Sequence, residues 1–140
     1  MIRQDIITAF KDSFKKIATA NGYLTDAGLK VTEWNSLNVA EDDPDFINIE
    51  DPNCVKVKPA EWNDNTDEDS EYKKLTLNIS TVTNGKECKE QIRKIRSDIL
   101  RAIGETQSAL IDKIEYEDDF TDFNFELKRQ AGTIITIYVY

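Results

Sequence analysis

The sequence predicts an α+β fold: a single, mainly antiparallel sheet with two long helices packed on one of its faces. Three observations lead there. Two segments carry apolar residues at every third or fourth position, the spacing of a helix stripe. One segment alternates apolar and polar residues without a break, the mark of a strand with one buried face. The chain has 140 residues, the usual size of one domain, and no linker or internal repeat divides residues 1–140.

Taken in order, Ile2, Ile6, Ile7, Phe10, Phe14 and Ile17 define the first stripe, with Arg3, Asp5, Lys11, Asp12 and Lys15 between them. Asn21-Gly22 follows, and a glycine there can take the left-handed conformation that closes a helix. The spacing predicts a helix over residues 2–20, about 28 Å long. A turn at Thr25-Asp26-Ala27-Gly28 precedes a β-rich segment, Leu29 to Trp34. Residues 35–45 read as a loop, broken by Glu41-Asp42-Asp43-Pro44-Asp45. Phe46–Ile49 and Cys54–Val57 read as a small hairpin turned by Asp51-Pro52-Asn53. Residues 59–70 show no period and form an acidic loop.

Tyr72 to Val82 gives the cleanest alternation, with Leu75, Leu77 and Ile79 on one side and Thr76, Asn78 and Ser80 on the other. After Asn84-Gly85, the residues Cys88, Ile92, Ile95, Ile99 and Ile103 predict the second helix, stopped by Gly104. Its outer face carries Lys86, Lys89, Arg93, Lys94, Arg96 and Arg101, six of the eighteen cations. Leu110–Tyr116, Phe123–Leu127 and Thr133–Tyr140 read as strands, the last two turned by Ala131-Gly132.

Composition excludes several kinds of chemistry. The chain has no histidine, so histidine general-base schemes and Cys/His zinc sites are ruled out. Its five glycines are scattered, with no phosphate-cradling loop. Asp64 to Asp69 invites a calcium reading, yet an EF-hand loop starting at Asp64 would need Gly and Glu where Asp69 and Leu75 stand. That run, and Glu115, Glu117, Asp118, Asp119 and Asp122, read as solvated loop charge. No catalytic, cofactor-binding or metal-binding residue is expected. The formal net charge of −9 works against nucleic-acid and anionic-membrane binding. Cys54 and Cys88 read as buried free thiols. With no leader and no membrane-length apolar run, action in the cytoplasm is expected.

The candidate contact residues are Trp62, Asp64, Asp67, Glu68 and Asp69 in the acidic loop, and Lys89, Arg93, Lys94 and Arg96 on the basic helix face. Tryptophan is a preferred interface anchor, and opposite charges on two patches suit contacts between unlike surfaces.

Several strings in order carry a resemblance: Ile2-Arg3-Gln4-Asp5-Ile6, Ala20-Asn21-Gly22-Tyr23-Leu24-Thr25-Asp26-Ala27-Gly28, Val31-Thr32-Glu33-Trp34, Asp43-Pro44-Asp45-Phe46-Ile47-Asn48-Ile49, Leu75-Thr76-Leu77-Asn78-Ile79, and Ile92 through Gly104. Together they span nearly the whole chain, and the pattern resembles the tail terminator (tail completion) proteins of long-tailed phages and prophages. The resemblance implies a non-enzymatic virion protein assembled in the cytoplasm. It would form a ring, typically hexameric, at the neck end of the tail. There it would cap the tail-tube protein, stop its polymerisation and receive the head-connector protein. The acidic segment 59–70 departs from the family's pattern. A negatively charged ring would repel the phosphates of DNA passing through it. The alternatives are another head–tail connector or neck protein, or an acidic inhibitor that mimics nucleic acid.

Overall fold

Alternation at residues 74–84 builds the centre of the fold. The computed structural model describes residues 2–33, 45–51, 74–117, 121–125 and 128–140. Strand β3 (Lys74–Asn84) buries Leu75, Leu77 and Ile79 and leaves Thr76, Asn78 and Ser80 half-buried. It pairs antiparallel with β2 (Phe46–Glu50) on one edge and with β6 (Lys128–Val139) on the other. The β3–β6 ladder runs through eleven residue pairs, from Lys74 opposite Tyr138 to Asn84 opposite Lys128. Opposed residues share a face, so Ile49, Leu75, Leu77, Ile79, Ile135 and Ile137 project to one side of the sheet.

That side meets the helices. Helix α1 (Ile2–Lys15) buries Ile6, Ile7, Phe10 and Phe14. Helix α2 (Cys88–Glu105) buries Cys88, Ile92, Ile95, Ile99, Ala102 and Ile103. All of these except Cys88 join the sheet residues in one apolar cluster. Where the helices cross, Ser13 Oγ donates to the Ala102 carbonyl at 2.8 Å, and Thr106 Oγ1 donates to the same oxygen at 2.8 Å. These bonds satisfy a carbonyl in the last turn, where a helix runs out of its own donors. Ion pairs tie α1 to the sheet: Arg3 to the buried Asp51 at 2.7 Å, and Lys11 to Glu33 at 3.3 Å.

The expected fold class is corrected on two counts. First, the sheet is mixed. Strand β1 (Val31–Glu33) runs parallel to β2, with Val31 opposite Ile47 and Glu33 opposite Ile49. With β4 at Ile111–Tyr116 and β5 at Thr121–Phe125, the strand order is β1-β2-β3-β6-β4, with β5 also on β6, six strands among the described residues. Second, the helices are shorter than two long rods. Helix α1 has 14 residues, about 21 Å; α2 has 18. The predicted helix over 2–20 stops at Lys15 because Asp26 competes for its backbone. Asp26 Oδ1 accepts from the Thr19 N–H at 2.8 Å and from Thr19 Oγ1 at 3.1 Å, drawing that segment out of the helical register. The left-handed Gly22, at φ +87°, closes a three-residue 3-10 turn over Thr19–Asn21 instead.

Two predicted signals also land elsewhere. Ala131-Gly132 lies inside β6, opposite Thr81 and Ser80, not in a turn. There Gly132 allows close strand approach, since a Cβ would sit 3.3 Å from the Ile79 carbonyl. Gly104 lies within α2, which continues to Glu105. Strands β4 (Ile111–Tyr116) and β5 (Thr121–Phe125) both pair with the outer edge of β6, β4 opposite residues 135–139 and β5 opposite 128–132. They are two successive halves of one edge. The Cys54–Val57 strand and the 59–70 loop lie outside the described residues; Cys88 is a buried free thiol.

Candidate assembly surface

The first surface grows from the outer side of α2. Lys89, Arg93 and Arg96 recur at four and three residues and so form one stripe; Lys94 lies on the neighbouring one. Lys89, Arg93 and Lys94, with Lys86, line a shallow hollow of about 560 Å³ together with Leu24. Glu87 and Glu90 complete it, leaving four cations against two carboxyls. The Lys94–Glu90 pair is long, at 3.9 Å, and both side chains are exposed, so it neutralises little. Leu24 is 56% exposed in the middle of these charges.

Leu24 is held there by a polar clamp that sequence reasoning missed. Asp98 faces inward from α2 at 2% exposure. Its Oδ1 accepts from the Leu24 N–H at 3.0 Å, and its Oδ2 accepts from the Thr25 N–H at 2.8 Å and Thr25 Oγ1 at 2.7 Å. Arg101 Nη1 donates to the Gly22 carbonyl at 2.8 Å, and its guanidinium lies 4.2 Å from the centre of the Tyr23 ring. The signal that could have found the clamp is the position of Asp98, an acidic residue between Ile95 and Ile99 on the apolar stripe.

The second surface lies at the other end of α2. A groove of about 610 Å³ runs between α1 and residues 105–108, rimmed by Asp5, Asp12 and Glu105 against a single cation, Lys16. Tyr23 forms part of its wall and donates its hydroxyl to Glu105 Oε1 at 2.7 Å. Arg101 Nε reaches Glu105 Oε2 at 3.3 Å. Burial, and then the bond to Glu105, push the Tyr23 phenol up to about 12. The same bond, and then that from Arg101, hold Glu105 below its ordinary value. A phenol whose folded value is raised contributes stability that is complete below its unfolded value near 10 and lost as pH climbs to about 12. Native protein is therefore expected to lose stability across that alkaline window, and Tyr23→Phe to lose less. Denaturant midpoints measured at intervals from pH 9 to about 12 would check this; parallel curves would refute it.

Beyond the groove, and sharing Thr106, Gln107 and Ser108 with it, lies an apolar ledge on β4. Ile111, Ile114 and Tyr116 pair with Val139, Ile137 and Ile135 and so belong to the helix-bearing side of the sheet. Ile111 and Ile114 are half-buried, and Tyr116 is 48% exposed. On the opposite face, Tyr138 donates to Glu115 at 2.9 Å, while Lys113 lies 3.4 Å from Glu115 and 4.7 Å from the Tyr138 ring centre. Such charges on an edge strand discourage indiscriminate pairing.

Lys89, Arg93 and Lys94 are thus brought together around Leu24, and Arg96 continues their stripe half-buried. Trp62, Asp64, Asp67, Glu68 and Asp69 lie outside the described residues. Among the described residues, no three Cys, Asp or Glu side chains are grouped to hold a metal ion, and no helix is long and apolar enough to cross a membrane. Neither a protein-family model nor a curated protein matches the sequence.

Proposed function

We propose that this chain is a virion structural protein of a long-tailed phage or prophage, a tail terminator that caps the tail tube as a ring. The ordered strings of the sequence suggest the family. The observation that carries the reading is the presence of two unlike surfaces of opposite charge on the helical side. Contacts that close a ring of identical subunits are heterologous, so each subunit needs two different, complementary patches. Lys89 and Glu105 are sixteen residues apart on α2, about 24 Å, so both surfaces can be engaged at once. In this reading the ring assembles in the cytoplasm, stops growth of the tail-tube protein and offers its far side to the head-connector protein. It takes no cofactor.

The test is assembly. Light scattering over a range of concentrations, alone and with tail-tube protein, is expected to show a closed oligomer. Electron microscopy is expected to show tubes that stop lengthening once the chain is added. A particle that stays monomeric in both settings, with tubes growing unchecked, would sink the proposal.

A further inference from the structure

We infer that two copies of this chain meet head to tail, the basic shelf around Leu24 of one copy seating on the acidic groove and apolar ledge of the next. This deepens the ring proposal and rests on it for the closure of successive contacts into a ring. Each surface supplies what the other lacks. The shelf is an exposed leucine surrounded by Lys86, Lys89, Arg93 and Lys94. The groove and ledge are an apolar floor, Ile111, Ile114 and Tyr116, bordered by four acids, Asp5, Asp12, Glu105 and Asp112, against two cations, Lys16 and Lys113. Seating Leu24 on that floor would remove apolar area from water on both copies, while the rims bring opposite charges together.

The symmetric alternatives are disfavoured by charge. Shelf against shelf would oppose four cations to four, and groove against groove would set like carboxyls against each other; like charges facing across an interface suppress wrong pairings. A second copy is therefore the matching occupant, in a heterologous contact. Tyr116 is 48% exposed, and desolvation of its covered part is enough to raise its phenol above the ordinary value.

Two full-length variants test the assignment. Lys89→Glu/Arg93→Glu reverses the shelf and leaves the groove; Asp12→Lys/Asp112→Lys reverses the groove side and leaves the shelf. All four residues are exposed, and circular dichroism would verify that both variants fold. By sedimentation velocity, each variant alone is expected to be monomeric where the native chain is assembled. An equimolar mixture is expected to restore assembly, because the first variant's groove meets the second's native shelf and the two reversed surfaces are again opposite in charge. A third variant, Leu24→Asp, is expected to weaken native association at least about tenfold with the four shelf cations intact. If the native chain assembles and the reversed variants do too, or their mixture stays monomeric, this contact is wrong while the ring proposal stands. A native chain that is monomeric alone and with tail-tube protein overturns both.

Discussion

Gly28→Ala is expected to destabilise the protein by about 3 kcal/mol, at the upper end of what overpacking costs. A methyl group at position 28 would lie 2.6 Å from the carbonyl oxygens of Phe14 and Ile17 and 2.8 Å from that of Lys15. All three are backbone atoms, so no side chain can swing aside. They are also the oxygens where α1 ends. The Gly28 N–H donates to the Ile17 carbonyl at 3.0 Å, and the chain lies across the end of the helix in place of a further turn. Making room would lift the 27–29 turn off α1 and disturb β1, which starts two residues later. For a chain of this size the loss corresponds to a fall in Tm of roughly 10–15 °C. Gly104→Ala is the matched control. It lies in α2, and a Cβ added there would meet nothing within 4 Å, so alanine should be neutral or add up to about 1 kcal/mol through helix propensity. Thermal melts of the two variants would check the contrast, and equal melting temperatures would show that the turn yields easily.

Gly28 also marks the limit of what was legible in the sequence. Its place in a turn could be read from Thr25-Asp26-Ala27-Gly28, but its reason could not, because the atoms it avoids belong to a helix end more than ten residues earlier. The same division runs through the fold. Periodicity revealed the inward residues of β3 and both helices, because burial follows a local repeat. Pairing partners leave no such trace. The parallel β1–β2 pairing joins two strands far enough apart in sequence that neither one's local pattern encodes it. Ala131-Gly132 looked like a turn because small residues favour turns; in β6 the same smallness serves a close approach to β3. Of the candidate contacts, the α2 cations were readable from composition and spacing. Leu24 was not, because an exposed leucine in a loop becomes a feature only when α2 and the turn before it place four cations around it. The acidic groove was not, because its rim comes from α1 and from the far end of α2.

Asp98→Asn is the second large effect expected, about 3 kcal/mol, and unlike Gly28→Ala it should act on assembly as well as on folding. Three donors converge on the Asp98 carboxyl group: two backbone N–H groups on its two oxygens and the Thr25 hydroxyl. Asparagine offers one acceptor oxygen and one donor nitrogen. Whichever way the amide turns, its NH₂ faces a backbone N–H, and at 2% exposure water cannot repair the mismatch. A buried donor left without its acceptor loses its full desolvation cost. Thr25→Val removes only the hydroxyl and should cost about 1 kcal/mol. The double variant should fall short of the sum, because both changes strike one network. The link to assembly runs through the Leu24 N–H. Once Asp98 Oδ1 no longer holds that amide, Leu24 loses its position among Lys86, Lys89, Arg93 and Lys94. Self-association of the folded Asp98→Asn protein should therefore weaken, at temperatures well below its melt. Denaturant unfolding and sedimentation on the same samples would separate the two effects. Lowered stability with native association would mean that the clamp supports the fold alone, and that the shelf does not depend on where Leu24 is held.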